Sequence, residues 1–281
     1  MKTSRILIGA MLAATGLLQG LRAQTEPVVQ RLEYKEYAPW ADVEGAGCFV
    51  QLEMDFLLEG NAAPTETVKE GRSWSECMQG MTQEDRISLL NRGIVNRVLV
   101  EKAFGKEYAD RSFLMAAACY RDAREAEYRK DVEEMLDVDP DIRIPEYDFY
   151  VSGIVVDTGR MFLTYRLEES HYTGGAHPNS SVWYLNFDAR GLVTVADLFG
   201  EDKLEVLKEV VFEALLLKEG VKTAEELEKK SYFPEFFHVS DDFYVKGDSI
   251  VFVYSPYEIA AYSQGVVEIP VPFSALEAAG L

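Results

Sequence analysis

The chain has three histidines against 48 carboxylates, and two of the three fall in one short segment. That segment reads Ser170-His171-Tyr172-Thr173-Gly174-Gly175-Ala176-His177-Pro178. Imidazoles beside Glu168 and Glu169 could hold a metal ion, but the spacing matches no standard zinc motif and no third histidine lies nearby. No metal or other cofactor is therefore expected. Paired glycines permit positive φ and close backbone approach. Pro178 pushes His177 toward an extended conformation. The segment reads as a shaped loop, with His177 hydrogen-bonded to hold it. A second group of candidates follows Pro256, where Tyr257 and Tyr262 offer stacking or anchoring area and Glu258 offers charge. The candidate binding residues are Tyr172, Gly174, Gly175, His177, Tyr257, Glu258 and Tyr262.

No catalytic residue is assigned. The chain contains no G-x-S-x-G elbow, no phosphate-binding G-x-x-x-x-G-K-[ST] and no H-E-x-x-H. With so many carboxylates, any two could be nominated as an acid/base pair, so the choice carries no information. Asp188 and Asp197 flank a turn and are expected to cap structure. The remaining late aromatics, from Tyr232 to Tyr254, are expected in a core. Three cysteines, Cys48, Cys77 and Cys119, leave at least one unpaired, with Cys48 and Cys119 placed on apolar faces.

The elements that position these residues come in blocks. Alternation of Cys48, Val50, Leu52, Met54 and Phe56 with polar neighbours predicts a strand over 48–58. Residues 60–71 read as a loop. A helix is expected from a Thr82 cap to about Phe104, and a second over 112–136, where Glu125 and Arg129 can pair. Strands are expected at 147–156 and 161–167 around an Asp157-Thr158-Gly159 turn, then at 180–188 and 192–195. Helices follow at 203–218 and 223–230, a hairpin at 243–254, and a last strand at 266–270. Blocks of strands and helices without regular βαβ alternation favour an α+β class, with antiparallel sheets, packed helices and two closely associated domains.

Residues 1–23 have the layout of a cleavable export signal: Lys2 and Arg5, an apolar run, then Leu21-Arg22-Ala23. The expected organisation is this signal, an N-terminal domain over 24–145 and a C-terminal domain over 146–281, in the periplasm or secreted. No later apolar run is long enough to span a bilayer. The formal net charge is −20, which disfavours nucleic acid and anionic membrane as partners and favours cationic ones.

An ordered set of motifs resembles a known family. Tyr172-Thr173-Gly174-Gly175-Ala176-His177-Pro178 is followed by Asn186-Phe187-Asp188, Gly191 and Asp197-Leu198-Phe199. Later come Pro256-Tyr257-Glu258-Ile259-Ala260, Tyr262, Gly265 and Ile269-Pro270. The set resembles the RsiV-like family, also called domain of unknown function 3298, over about residues 147–276. Residues 48–136 resemble, by layout, the companion 4163-type domain. The resemblance implies an exported α+β protein without established catalysis. One branch of that family consists of membrane anti-sigma factors whose outer part binds lysozyme. This chain carries a cleavable signal in place of a sigma-binding segment and spanning helix, so an anti-sigma role is not expected. What carries over is a binding module for an extracytoplasmic protein or cell-wall glycan. The alternatives are an envelope glycan hydrolase using carboxylates and a structural envelope protein.

Overall fold

The computed structural model describes residues 29–41, 43–58, 87, 90–156, 162–188 and 190–281. The expected signal, the 60–71 loop, Cys77, the Thr82 cap and the 157–159 turn lie outside the described residues. The fold is α+β and contains two sheets, one of six strands and one of three.

The larger sheet runs β1 (Val29–Pro39), β2 (Gly47–Leu57), β3 (Glu146–Val156), β4 (Leu163–Tyr172), β5 (Asn179–Asp188) and β6 (Gly191–Val193), neighbours in that order. All its pairings are antiparallel except β2–β3, which is parallel. A parallel return needs a crossover, and the chain makes it through α1 (Arg92–Phe104) and α2 (Phe113–Val138). Along β2 the alternation places Cys48, Val50, Leu52, Met54 and Phe56 in the core, while Gln51, Glu53 and Asp55 occupy the other face. Helix α2 buries Phe113, Ala116, Ala117, Tyr120, Tyr128 and Val132 at near-helical spacing in the same core. The Glu125–Arg129 ion pair forms at 2.7 Å.

The helix expected over 82–104 is broken. Leu90 and Asn91 are not helical, and the Asn91 side chain accepts the Ile94 N–H at 3.2 Å, so Asn91 caps a helix that begins at Arg92. Asn96, buried within α1, ties that helix to the end of β2: its amide donates to the Leu57 carbonyl and accepts the Leu57 N–H at 3.0 Å.

After β6, the capping box of Thr194 and Asp197 starts α3 (Val195–Phe199), and Asp188 caps the Arg190 N–H at 2.7 Å. Then come α4 (Leu204–Glu219) and α5 (Ala224–Glu228). The smaller sheet is β7 (Phe243–Lys246), β8 (Ser249–Tyr254) and β9 (Val267–Pro272), followed by α6 (Phe273–Ala278). Leu207, Val211 and Leu215 of α4 fill a second core with Phe243, Phe252, Tyr254 and Ile269. Helix α4 stops at Gly220 with φ 66°, where Val221 N–H reaches back to Leu216 O at 3.0 Å. The position between residues 145 and 146, expected to divide two domains, falls at the first residue of β3. Strands from both sides of it share one sheet and one core.

The two sheets meet at β5. Strand β6 pairs only with Asn186–Asp188, so earlier residues of β5 meet no strand on that side among those described. The smaller unit meets their polar groups with side chains. Val182 N–H donates to Ser255 Oγ at 2.9 Å, and Tyr184 N–H donates to Asp242 Oδ1 at 2.9 Å. Buried Asn186 donates to Phe243 O at 2.8 Å and accepts the Thr164 hydroxyl at 2.7 Å. Above them the Tyr184 and Tyr244 rings stack at 4.6 Å.

Candidate functional site

Strand β4 runs further than its sequence suggests. Ser170, His171 and Tyr172 continue it, so the loop is a shorter hairpin tip between Tyr172 and Asn179. The two histidines are separated, one in the strand and one in the tip. His171 turns to the helix side, its ring 6.4 Å from Phe149, while Ser170 and Tyr172 point to the open polar face. Within the tip, Gly174 and Gly175 have φ of 102° and 100°, a region L side chains rarely enter. The Tyr172 hydroxyl donates to Gly175 O at 2.9 Å and closes the tip on itself.

His177 is half-buried. Its Nδ1 lies 3.0 Å from Pro178 O, so that nitrogen carries the proton and donates. Nε2 is then free to accept the Tyr257 hydroxyl at 3.1 Å. The His177 ring stacks on Tyr262 at 3.8 Å with planes 11° apart, and Tyr257 lies 5.6 Å from Tyr262. The hairpin tip and the 256–262 segment therefore adjoin. They reach each other from different sheets, because the smaller sheet docks on β5.

Tyr257 is 54% exposed and has a φ of 70°. Glu258 N–H donates to Ser255 O at 3.1 Å, closing a four-residue turn with Pro256 second and Tyr257 third. A positive φ at the third position is the type II pattern, which ordinarily takes glycine or asparagine. Tyrosine there costs about 1–2 kcal/mol. The turn is held from outside: Glu258 Oε2 accepts Ser255 N–H at 2.8 Å, and Glu258 Oε1 pairs with His238 Nε2 at 3.0 Å. Glu258, expected to offer charge to a ligand, is thus engaged within the chain.

Beside the patch an open groove of about 950 Å³ crosses the polar face of β3 and β4. Arg143, Glu146, Asp148, Tyr150, Ser170, Tyr172 and His177 are among the residues that line it. Register explains the set, since Asp148 pairs with Tyr172 and Tyr150 with Ser170. Partial desolvation raises the Asp148 carboxyl from its ordinary value although the residue is exposed, and Lys35 opposes the rise. Glu146 and Tyr150 were missed from sequence, and Asp148 was passed over as unremarkable among so many carboxylates, although their alternation with buried Tyr147, Phe149 and Val151 was available. Among the described residues no three His, Cys, Asp or Glu side chains gather as a metal site, and Cys48 and Cys119 are free thiols. The arrangement can stack planar or apolar faces and exchange hydrogen bonds across an open surface.

A two-sheet α+β architecture of this kind is shared with DUF3298 proteins. Residues 196–274, from α3 into α6, match the family described as "Protein of unknown function (DUF3298)". That match includes Tyr257, Glu258 and Tyr262 and begins after the hairpin tip. The crystal structure of a DUF3298 family member from Bacteroides fragilis superposes with a TM-score of 0.70 at 22% identity, over 89% of this chain and 91% of that one. A DUF3298 family protein from Pseudomonas aeruginosa gives a TM-score of 0.54 at 15% identity, over 89% and 92%. Both likenesses are of fold. No curated protein matches the chain.

Proposed function

We propose that the chain is an exported binding module whose ligand-facing surface is the hairpin tip, Tyr257, Tyr262 and the adjoining groove. One observation carries this reading: an exposed tyrosine is kept in a glycine-like conformation within an aromatic patch, beside an open groove. Strain that surrounding contacts maintain is a mark of a functional position. Export is supported by the signal-like layout of residues 1–23. The ligand is an extracytoplasmic protein or a cell-wall glycan. The net charge of −20 suits a cationic protein such as lysozyme, through encounter rate more than specificity.

The test is a pull-down from envelope extract and secretions with the wild type, Tyr257→Ala and Tyr262→Ala. The reading expects capture by the wild type, loss in both variants and nearly unchanged melting temperatures. Parallel loss of stability and capture would make the patch a structural closure. A second reading, glycan hydrolysis by carboxylates, draws on Asp148, whose raised carboxyl lies in the groove. Release of reducing ends from envelope glycan, abolished by Asp148→Asn, would establish it in place of binding.

A further inference from the structure

The groove has a chemical character beyond that of a general docking surface. It is open to solvent and not enclosed, so it suits a ligand that extends beyond it better than a buried small molecule. Its volume, about 950 Å³, lies at the upper end of the range for small-ligand pockets. Tyr172 is 36% exposed and Tyr257 54% exposed, so both rings offer free area. An aromatic ring of this kind matches the apolar C–H face of a pyranose.

The polar groups suit the rim of the same ring. Glu146 and Asp148 stand on one face of β3, two residues and so about 7 Å apart. They accept hydrogen bonds, Arg143 donates them, and Ser170 does both. Charge narrows the class further. The acid excess of the chain and the two groove carboxylates oppose an anionic polymer, and a lining of acceptors, donors and rings matches uncharged hydroxyl-bearing units. At the tip, Gly174 and Gly175 have no heavy atom within 4 Å of where a side chain would stand, so a ligand can lie against bare backbone.

We infer that the groove binds a neutral oligosaccharide, with sugar faces on Tyr172 and the Tyr257–His177–Tyr262 cluster and hydroxyls on Asp148, Glu146 and Arg143. The inference rests on the binding-module reading and names its ligand class.

The experiment titrates the full chain with two neutral probes, a β-linked N-acetylhexosamine hexamer and a β-linked hexose hexamer, and with lysozyme as a cationic arm. The expected result is saturable binding of at least one hexamer. Its affinity should change less than about twofold between about 0.05 M and about 0.5 M salt, because no net charge is neutralised. Tyr172→Ala should weaken it about tenfold, and Tyr172→Phe, which keeps the ring, should recover affinity to within about threefold. Asp148→Ala should also weaken it, with melting unchanged in all three variants. Failure of both hexamers at millimolar concentration overturns the inference. Salt-sensitive lysozyme binding in that case leaves the binding-module reading standing with another ligand. Sugar binding indifferent to Tyr172→Ala also overturns the inference, by placing the sugar elsewhere.

Discussion

Two of the contacts between the two sheets are unlike. The inner one is polar and covered. There Ser255, Asp242 and Asn186 satisfy the backbone of β5 and β7, and Asn186 is 1% exposed. The outer one is aromatic and open: His177 stacks on Tyr262 and hydrogen-bonds Tyr257, whose ring faces solvent. Covered polar contacts are strong because unmaking them strands buried groups. Open aromatic contacts contribute less to folding and leave faces free for a partner. The inner contact should therefore govern stability, and the outer one recognition.

The largest expected effect belongs to Asp242. Burial raises its carboxyl from 3.8 to about 6, against the opposing Tyr184 N–H and Lys102 and with Glu258 and Asp241 adding to the rise. A raised carboxyl favours the protonated fold, so its stabilising share is full below pH ~4 and is lost as pH rises through ~6. Two units correspond to about 3 kcal/mol. Urea melts of wild type and Asp242→Asn should show the wild type losing about that much relative to the variant between pH ~4 and ~7.5. A constant difference across that range would remove Asp242 from the account.

Next comes Asn186→Leu, which deletes the hydrogen bonds to Phe243 O and Thr164 while keeping volume. It should cost about 2–3 kcal/mol in denaturant melts. A cost near zero would break the assignment of stability to the inner contact. Gly175→Val should cost about 1–2 kcal/mol, because φ of 100° is closed to a β-branched residue although space is open around it. Gly175→Ala should cost less. The smallest effect on folding is expected of Tyr257→Gly, which relieves the backbone but loses the His177 bond. Its stability should stay within about 1 kcal/mol of wild type, while capture of the ligand falls. A large stability loss would merge the outer contact with the inner one.

Much of the fold was legible in local pattern. The strict alternation of β2, the stripe of α4, and the Asp188 and Asp197 caps are properties of neighbouring residues and came through. The break at Leu90–Asn91 did not, because an apolar period persists across it while the Asn91 cap interrupts it. Strand β1 also escaped notice, since exposed Glu36 and Tyr37 interrupt the alternation of inward Leu32 and Tyr34 with Arg31, Glu33 and Lys35. The loops of the candidate site were chosen for their distinctive residues, and they do meet. The route was different, because docking of one sheet on the edge of another leaves no local trace. The intrachain engagement of Glu258 was not foreseen for the same reason, as its partner His238 comes from a separate turn.

The parallel seam between β2 and β3 has a kinetic consequence. Gly47 pairs with Glu146, so about a hundred residues must be gathered before that ladder can close. The β7–β8 pairing spans only a tight turn, Lys246 against Ser249. Hairpins of that kind form in microseconds, whereas distant pairings wait on the entropy of closing long loops. The smaller sheet should protect its amide hydrogens early in refolding, and β2 and β3 late. Until the seam closes, β3 offers an unfinished edge, while Asp242 and Ser255 already cover that of β5.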